Sequence, residues 1–310
     1  MRRASGKKGK AVNGWLVLDK PAGVTSTYAV GAMRRAFGAR KAGHAGTLDP
    51  AATGVLPIAF GEATKTVPYA VDGEKCYRFT VRWGAQTETD DAEGRVLATS
   101  TQRSDAAAIS RLLAQFTGEI LQTPPAYSAI KVAGRRAYDL ARGGEAVSLE
   151  PRPVLIHSLR LIDTPDADSA VFEARCGKGT YVRALARDMG RVLGCLGHLI
   201  ALRRTRVAGF EEAAAISLNS VELALEHGEA ALLRLLLPIE AALNDFAVLN
   251  VGQAEAARLL NGQPILLRGR DAPYQPGPTY ALCRGHLVAL GEIARGELHP
   301  IRVFHLGDAG

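Results

Sequence analysis

The sequence predicts an α+β fold with a small, mainly β domain at its C-terminal end. Residues 77–83 alternate between apolar and polar side chains, as in a half-buried strand, whereas residues 182–192 have the apolar spacing of an amphipathic helix. Beyond Asn244 the chain has a short helical pattern and then short apolar runs separated by glycine and proline. We therefore expect a large mixed domain and a smaller domain that begins near residue 245.

Basic residues are concentrated in two blocks. The chain has 310 residues, 47% of them hydrophobic, which is enough for a substantial core, and its formal net charge is +7. Residues 1–41 hold ten basic residues and one acidic residue, and a second basic block runs from Arg175 to Arg206. Clustered lysine and arginine favour a polyanionic partner because phosphate contacts release counterions; a solvated basic surface is the alternative. We predict that residues 1–12 form a flexible basic tail.

Several kinds of site and location are disfavoured by what the sequence lacks. The four cysteines are far apart with no Cys-x-x-Cys pair, which disfavours a structural metal or a disulfide framework. No glycine-rich phosphate-binding motif occurs, which argues against a nucleotide cofactor. No apolar run is long enough to span a membrane, and the first ten residues lack the apolar core of a signal peptide. We therefore expect a cytoplasmic protein with no membrane association.

The apolar pattern also predicts the order of the elements. Short apolar runs predict strands, and apolar residues three to four apart behind a capping residue predict helices. In order we predict a strand at 15–18, a helix capped by Ser26, a strand at 55–60, a strand at 77–83, a polar loop at 86–95, a helix capped by Ser104, paired strands at 154–162 and 171–176, a helix from 182, and helices from 220. The glycine-rich segment 41–54 remains as an irregular loop.

This irregular loop contains one carboxylate, Asp49, in a restricted backbone context. Pro50 favours an extended conformation at Asp49, and three glycines permit turns that other residues resist. Such a loop can present a single carboxylate in one direction, although Asp before Pro also commonly stabilises a turn. Tyr77 and Arg183 have two interpretations as well: site residues, or an ordinary core tyrosine and surface arginine.

Residues 124–153 form a predicted insertion in which basic and tyrosine side chains alternate. It follows a Thr-Pro-Pro break in the apolar pattern, and its members are Lys131, Arg135, Arg136 and Arg142 with Tyr127 and Tyr138. Interleaved cations and aromatic rings suit contact with an RNA backbone and its bases. A surface helix-turn insertion without a binding role is the alternative.

Several short motifs, taken together, resemble the TruB-type tRNA pseudouridine synthases, in particular the bacterial stand-alone type. The match is in the right order and covers residues 14 to about 210; the motifs are Lys20-Pro21, Gly43-His44-Ala45-Gly46-Thr47-Leu48-Asp49-Pro50, Tyr77-Arg78, Tyr127-Ser128-Ala129-Ile130-Lys131, Lys178-Gly179-Thr180-Tyr181-Val182-Arg183 and Leu202-Arg203-Arg204. The resemblance implies a pseudouridine synthase catalytic domain at 13–244, built on a mixed, mostly antiparallel sheet flanked by helices. It also implies a PUA-like RNA-binding domain at 245–310.

The activity that the resemblance implies is isomerisation of a uridine to pseudouridine in the T-arm loop of tRNA, at position 55. The reaction exchanges a C–N for a C–C glycosidic bond without redox change, so no cofactor is expected. Asp49 would be the catalytic carboxylate, acting by addition to the base, attack on the sugar or formation of a glycal. Arg183 would pair with Asp49 and keep it charged. Tyr77 would stack on the uracil and is a candidate for removing the C5 proton.

Further residues would bind the RNA. A uridine inside a folded loop has to be extruded, and His44 would fill the space that the base leaves. Tyr181 and Leu202 would line the pocket. We expect phosphate contact or support of the pocket from Lys20, Lys65 and Lys178. We expect RNA contact from Lys131 in the insertion. The insertion resembles the RNA-gripping thumb of the stand-alone enzymes, which argues against the relative that works inside a guide-RNA particle. We expect a monomer whose partner is the T-arm stem-loop.

Two other classes of protein compete with this interpretation. One is a non-catalytic RNA-binding or tRNA-folding protein on the same scaffold, which the combined presence of Asp49, Tyr77 and Arg183 disfavours. The other is a different enzyme with an aspartyl nucleophile. A phosphatase of that kind needs a second aspartate two residues on, where this chain has Ala51. A glycosidase usually needs two facing carboxylates, whereas this loop has one.

Overall fold

The structure, a computed structural model, describes residues 9–132, 134–145, 147–267 and 277–306. The elements before the insertion are β1 (Gly14–Lys20), α1 (Ser26–Ala36), β2 (Ala42–His44), β3 (Thr53–Phe60), α2 (Val67–Asp72), β4 (Lys75–Trp83), β5 (Ala85–Thr87), β6 (Val96–Thr99), α3 (Ala106–Leu112) and β7 (Gly118–Gln122). The insertion contributes β8 (Lys131–Val132), β9 (Arg135–Arg136) and α4 (Ala137–Arg142).

The chain continues with a second series of strands and helices. Up to residue 244 these are β10 (Arg152–Asp166), β11 (Ser169–Cys176), α5 (Val182–Val192), β12 (Gly197–Val207), β13 (Phe210–Glu211), α6 (Leu218–Glu226) and α7 (Glu229–Leu233). The last part contains β14 (Ala247–Asn250), α8 (Gln253–Leu260), β15 (Ile265–Leu266), β16 (Gly277–Cys283), β17 (His286–Ala294) and β18 (Glu297–Val303). None of the helices in the described ranges is long and apolar enough to cross a membrane.

The larger sheet has nine strands and is mixed, as predicted. Its main order is β1-β3-β12-β4-β11-β10-β7, with β2 beside β3 and β13 beside β12. The pairs are antiparallel except for β3 with β12, where Arg203 and Arg204 lie opposite Thr53 and Gly54 in parallel register. Strand β12 therefore lies between the strand that leaves the Asp49 loop and strand β4, which carries Tyr77. This arrangement brings distant parts of the chain to one end of the sheet.

Apolar clusters along this sheet are covered by helices. On one face, side chains of β4 and β11 such as Phe79 and Phe172 pack with residues of α3 and α5, including Met189. Each buried phenylalanine contributes about 1.5–3 kcal/mol of burial free energy. Helices α1 and α6 cover β1 and β3 through a separate cluster that contains Met33 and Val221. The buried apolar face of α5 fixes the first turn of that helix, where Arg183 lies.

A second, five-stranded sheet in the order β14-β16-β17-β18-β15 forms the C-terminal part, with α8 packed against it. Leu287, Leu290 and Phe304 share a buried cluster with Trp15 and Val55 of the larger sheet. The two sheets therefore have a common apolar contact on the side of β1 and β3. Residues 268–276 and 307–310 of the predicted small domain lie outside the described residues.

Several local predictions differ from the structure. The segment 41–54, predicted to be irregular throughout, contains β2 and the first two residues of β3, so the Asp49 loop is residues 45–52. Helix α1 is capped by Thr25, which accepts a hydrogen bond from Tyr28 N, and not by Ser26. Helix α3 is capped by Asp105 and not by Ser104. In both cases two neighbouring residues were suitable caps, and the sequence pattern selected the wrong one. The predicted polar loop at 86–95 is the turn of a short hairpin, because β5 pairs with β6.

The predicted tail also ends earlier than expected. Residues 1–8 lie outside the described residues, but Gly9 and Lys10 hydrogen-bond to the segment after α1, and Val12 is buried in the cluster beneath that helix. Val12, an apolar residue close to the basic stretch, anchors residues 9–12 to the domain. Residues 9–12 are therefore part of the folded domain.

Candidate active site

A cavity of about 430 Å³ opens where the Asp49 loop meets the ends of β4, β12 and α5, a volume in the usual range for ligand sites. Residues from the loop, from the two strands and from the segment that enters α5 form one part of its wall, and the insertion supplies the rest. The lining comprises Thr47, Leu48, Asp49, Tyr77, Tyr127, Ser128, Ala129, Tyr138, Thr180, Tyr181, Val182, Arg183 and Leu202. The predicted residues Asp49, Tyr77, Arg183, Tyr181 and Leu202 are thus brought together.

Asp49 and Arg183 form an ion pair at this wall. The Arg183 Nε atom lies 3.0 Å from Asp49 Oδ2. The arginine side chain is 9% exposed and the carboxylate is 45% exposed, so the pair is buried on the arginine side and open to the cavity on the aspartate side. A carboxylate held in this way is directed by its partner but still accessible to a substrate.

The Arg183 guanidinium is itself fixed by two other segments. It donates hydrogen bonds of 3.0 Å to the carbonyl of Thr89 and 3.0 Å to the carbonyl of Tyr127. Its Nη1 atom also lies 3.5 Å from the Asp91 carboxylate. With these donors occupied, the planar guanidinium has little freedom to rotate. Arg183 therefore joins the Asp49 loop, the β5–β6 turn and the insertion at one point.

Ser26 and Lys20 hold the backbone of the Asp49 loop from below. The Ser26 hydroxyl accepts a hydrogen bond of 2.9 Å from Leu48 N and donates one of 3.0 Å to Leu48 O. Lys20 is 0% exposed, and its ammonium group donates to three backbone carbonyls, including Pro50 O at 3.1 Å. Residues on both sides of Asp49 are thereby fixed, which a loop of this composition does not achieve alone.

Tyr77 lies across the cavity from the loop, on the strand next to β12. Its ring is partly buried and packs against the apolar cluster beneath α5. Burial raises the pKa of the phenol above its usual value, and the positive charge of the neighbouring Arg204 opposes that rise in pKa. A phenol with a raised pKa stays protonated at neutral pH.

Tyr181 and Leu202 complete the wall. The backbone of Tyr181, at the start of α5, is held by both ends of the Gln122 amide, which accepts from Tyr181 N at 2.8 Å and donates to Tyr181 O at 3.1 Å. Leu202 projects from β12 between two core clusters. Since both positions depend on packed elements, the apolar side of the cavity has a defined shape.

Comparison with known proteins identifies the family. A profile for the TruB family pseudouridylate synthase N terminal domain matches residues 34–182, and one for the tRNA pseudouridylate synthase B C-terminal domain matches residues 183–244. The chain belongs to the TruB family of pseudouridylate synthases. The resemblance inferred from the sequence motifs is therefore confirmed.

Several TruB-family relatives are similar over most of their length. The tRNA pseudouridine synthase B of Nitrobacter winogradskyi is 58% identical, over 95% of this chain and 83% of the relative. The protein of the same name from Agrobacterium fabrum is 55% identical, over 96% of each chain. Among solved structures, a chain of a Cbf5-Nop10-Gar1 complex has a TM-score of 0.72 at 23% identity, over 95% of this chain and 84% of that chain. That likeness confirms the fold.

Phosphate contact or support of the pocket was predicted for Lys20, Lys65 and Lys178, and this TruB-family structure gives the partners of each. Lys20 supports the Asp49 loop, as described above, which is the second of these roles. Lys65 pairs with Glu62 at 2.5 Å and donates to the Val303 carbonyl at 2.8 Å, so it links the larger sheet to the C-terminal sheet. Lys178 is exposed and pairs with Asp72 at 3.0 Å. Lys131 is exposed on β8 of the insertion and does not line the cavity.

His44 lies at the end of β2, just before the Asp49 loop, and does not line the cavity. Its Nδ1 atom is buried without a hydrogen-bond partner among the described residues. Burial and the charge of Arg204 lower the pKa of the imidazole. A neutral, flat ring is therefore available beside the loop.

Sequence reasoning missed four contributors to the site. Ser26 was assigned as a helix cap. Arg204 was counted in a basic block and in the Leu202-Arg203-Arg204 motif without a role of its own, although its guanidinium hydrogen-bonds to the loop backbone at Gly46. Thr89 and Asp91 lie in a segment predicted to be a plain polar loop. Their partners are distant in the chain, and the serine and arginine act largely on backbone atoms, so residue type alone gave no signal for these contacts.

Proposed function

We propose that the protein converts the uridine at position 55, in the T-arm loop of tRNA, to pseudouridine. The observation that carries the proposal is the Asp49–Arg183 pair in the cavity wall: Asp49 is the one carboxylate among the described residues that line the cavity. A glycosidase usually needs a second carboxylate facing the first, and a phosphatase with an aspartyl nucleophile needs a second aspartate two residues on, where this chain has Ala51. Pseudouridine formation needs a single ionised carboxylate beside the sugar and base.

The reaction makes limited demands on the protein. The C1′–N1 bond of the uridine breaks, the uracil turns over, C1′ bonds to C5, the C5 proton leaves, and N1 takes up a proton in place of its bond to the sugar. Addition of Asp49 to the base, attack on the sugar and removal of a sugar proton all start from the charged carboxylate. The fixed guanidinium of Arg183 stabilises that charge without reorganising during the reaction.

The role that we assign to Tyr77 is to stack on the uracil in the cavity. Its ring lines the cavity opposite the Asp49 loop, and its raised pKa keeps the hydroxyl protonated. A protonated phenol can donate a hydrogen bond but cannot accept the C5 proton. Removal of that proton by the Tyr77 phenolate, the other role considered from the sequence, is therefore disfavoured.

The substrate base has to leave the tRNA loop before it can enter the cavity, at a cost of a few kcal/mol of lost stacking. We assign to His44 the role of filling the space that the base leaves, because its imidazole is flat, neutral and adjacent to the Asp49 loop. Lys131 and Lys178 are exposed and suit contact with the phosphates around the extruded nucleotide.

We assign residues 13–244 to catalysis and the C-terminal sheet, within 245–310, to a PUA-like RNA-binding domain. Its shared apolar cluster with β1 and β3 would keep a bound RNA in register with the cavity. We further infer a monomer that acts in the cytoplasm, where its tRNA substrate is found. Metal ions and nucleotides have no place in the proposed chemistry.

The test uses a tRNA transcript with tritium at C5 of uridine, purified protein, and no added metal or nucleotide. We expect release of one tritium per tRNA and a single pseudouridine at position 55 when the product is mapped. A transcript with cytidine at that position is the matched control and should release none. Absence of release from a folded transcript would disprove the proposal, and release from another position would correct the substrate site.

A further inference from the structure

Arg204 is a buried cation that has no carboxylate partner within the described residues. Its side chain is 1% exposed, and none of the ion pairs of the described chain includes it. A buried guanidinium is costly unless other groups compensate its charge. Such a residue needs a structural explanation, and its contacts provide one.

The guanidinium is compensated by backbone carbonyls at the two ends of the Asp49 loop. Arg204 Nε donates to Val55 O at 2.9 Å, just after the loop, and Nη2 donates to Gly46 O at 2.9 Å, near the start of the loop. Nη1 lies 3.5 Å from Thr47 O. The side chain therefore links the two ends of the loop, and Asp49 lies between these ends.

The backbone of Arg204 is held just as closely. It lies opposite Gly54 of β3 and opposite Tyr77 of β4, because β12 is between those strands. Gly54 has a φ of +97°, and a Cβ atom there would lie 2.2 Å from the Arg204 carbonyl, so only glycine permits this approach. Arg204 and Tyr77 are paired residues of neighbouring strands, so their side chains leave the same face of the sheet. Arg204 thus hydrogen-bonds to the Asp49 loop and lies beside Tyr77.

We propose that Arg204 is a positioning residue that fixes the Asp49 loop and Tyr77 relative to each other for the isomerisation. The inference rests on the proposed function for its kinetic consequence. It predicts a loss in the chemical step and not in tRNA binding, because Arg204 is buried and does not itself line the cavity. Misplacing a reacting group by about 1 Å is enough to cost on the order of 100-fold in rate.

The test compares Arg204→Lys with Arg203→Lys. Lysine keeps the charge at residue 204 but cannot span both ends of the loop with a planar fork. Arg203 is the matched control, since it is the neighbouring arginine on the same strand but pairs with Asp19 and Glu212 on the partly exposed side. We expect the single-turnover rate of Arg204→Lys to fall about 100-fold, with the Kd for tRNA within about threefold of the parent, and Arg203→Lys to stay within about threefold in both.

Hydrogen exchange without tRNA gives a readout that does not depend on activity. Amides of residues 45–55 should exchange faster in Arg204→Lys than in the parent, while amides of β10 and β11 should not change. If the lysine variant folds poorly, rates are measured per tRNA-binding molecule, and Arg204→Gln serves as the second variant. Any one of three results would overturn the proposal. They are an unchanged rate per tRNA-binding molecule, unchanged hydrogen exchange in the loop, and loss of tRNA affinity in both variants. A parent protein that releases no tritium would instead refute the proposed function.

Discussion

The two sides of the cavity are built very differently. We call Asp49, Tyr77, Arg183 and Leu202 the floor, because they lie on the Asp49 loop and on elements of the larger sheet and α5. We call Tyr127, Ser128, Ala129 and Tyr138 the roof, because they come from the insertion. Buried side chains such as Ser26 and Arg204 hold the floor. The roof is built on strands of two residues each and a helix of six residues.

The connection between floor and roof is also limited. The Arg183 guanidinium donates to the Tyr127 carbonyl, and within the roof Tyr138 N donates to Ser128 O at 2.9 Å. The Ser128 hydroxyl is buried without a partner among the described residues. A rigid floor prepares the orientation of the reacting groups in advance. A loosely attached roof suits admission of a nucleotide that belongs to a large RNA. From this difference in rigidity we infer that the floor carries out the chemistry and that the roof admits the substrate.

Replacing Asp49 with asparagine should cause the largest loss of turnover of any substitution in the floor. Asparagine has nearly the same shape but no charge, so we expect turnover to fall by a factor on the order of 10⁴ or more, as when other enzymes lose a nucleophile. The Kd for tRNA should stay within about threefold, measured by filter binding. Asp72→Asn, at an exposed ion pair away from the cavity, is the control and should keep parental turnover. Substantial activity in Asp49→Asn would remove the carboxylate from the mechanism.

Arg183→Lys tests the residue that, within the described part of the chain, joins floor and roof by a side-chain hydrogen bond. An ammonium group cannot contact Asp49, the Thr89 carbonyl and the Tyr127 carbonyl with the geometry of a guanidinium fork. We expect the single-turnover rate to fall about 100-fold and the KM for tRNA to rise, because the roof loses its link. Arg191→Lys is the control, on the same helix but exposed. A change in KM alone would show that Arg183 serves only the roof.

Much of the floor was predictable from the sequence, for a physical reason. Local patterns singled out Asp49 by its loop, Tyr77 by strand alternation and Arg183 by its place at a helix start. Each kept an ordinary alternative, and the resemblance to the TruB-type enzymes assigned the three residues to the site. The lysines were not predictable in the same way. A long, flexible side chain can reach many partners. Lys20 and Lys65 donate hydrogen bonds to backbone carbonyls, and no sequence pattern specifies these acceptors.

The fold, like the site, was predictable where it depends on local patterns and was not predictable where it depends on distant segments. Alternation and helical spacing are local, so most elements and the mixed sheet followed from the sequence and its resemblance. The parallel pairing of β3 with β12 depends on two segments that are far apart in the chain. That pairing puts Arg204 beside the Asp49 loop, and its role was missed because the pairing was not predicted. Ser26 was missed because a serine near a helix start has an obvious local function, which Thr25 performs instead.

A substitution in the roof should have a smaller effect and a different kinetic form. Tyr138 is 43% exposed, and its ring lies edge-on to that of Tyr127 at 6.0 Å between centroids. Replacing it with alanine removes an aromatic surface at the cavity mouth that suits a base or its neighbour. Stacking of this kind is worth about 1–3 kcal/mol, so we expect KM for tRNA to rise roughly tenfold.

The rate at saturating tRNA separates the two sides of the cavity. In Tyr138→Ala it should stay within about threefold of the parent, and Tyr138→Phe, which keeps the ring, should have a near-parental KM. A loss at saturation as large as that of Arg183→Lys would mean that the roof takes part in the chemical step. The distinction between floor and roof would then fail.

The pH dependence of the single-turnover rate should show the smallest change. Burial raises the pKa of Tyr77, so its phenol keeps the proton between pH 6 and 9. If the phenolate were the base that removes the C5 proton, the rate would rise about tenfold per pH unit across this window, because the fraction of phenolate would rise by that factor. We expect the tyrosine to contribute no such slope. Single-turnover rates of the parent and of Tyr77→Phe, measured on the same transcript, decide the matter. A tenfold slope in the parent that vanishes in Tyr77→Phe would make the hydroxyl a catalytic base, and the floor would then hold two catalytic groups and not one.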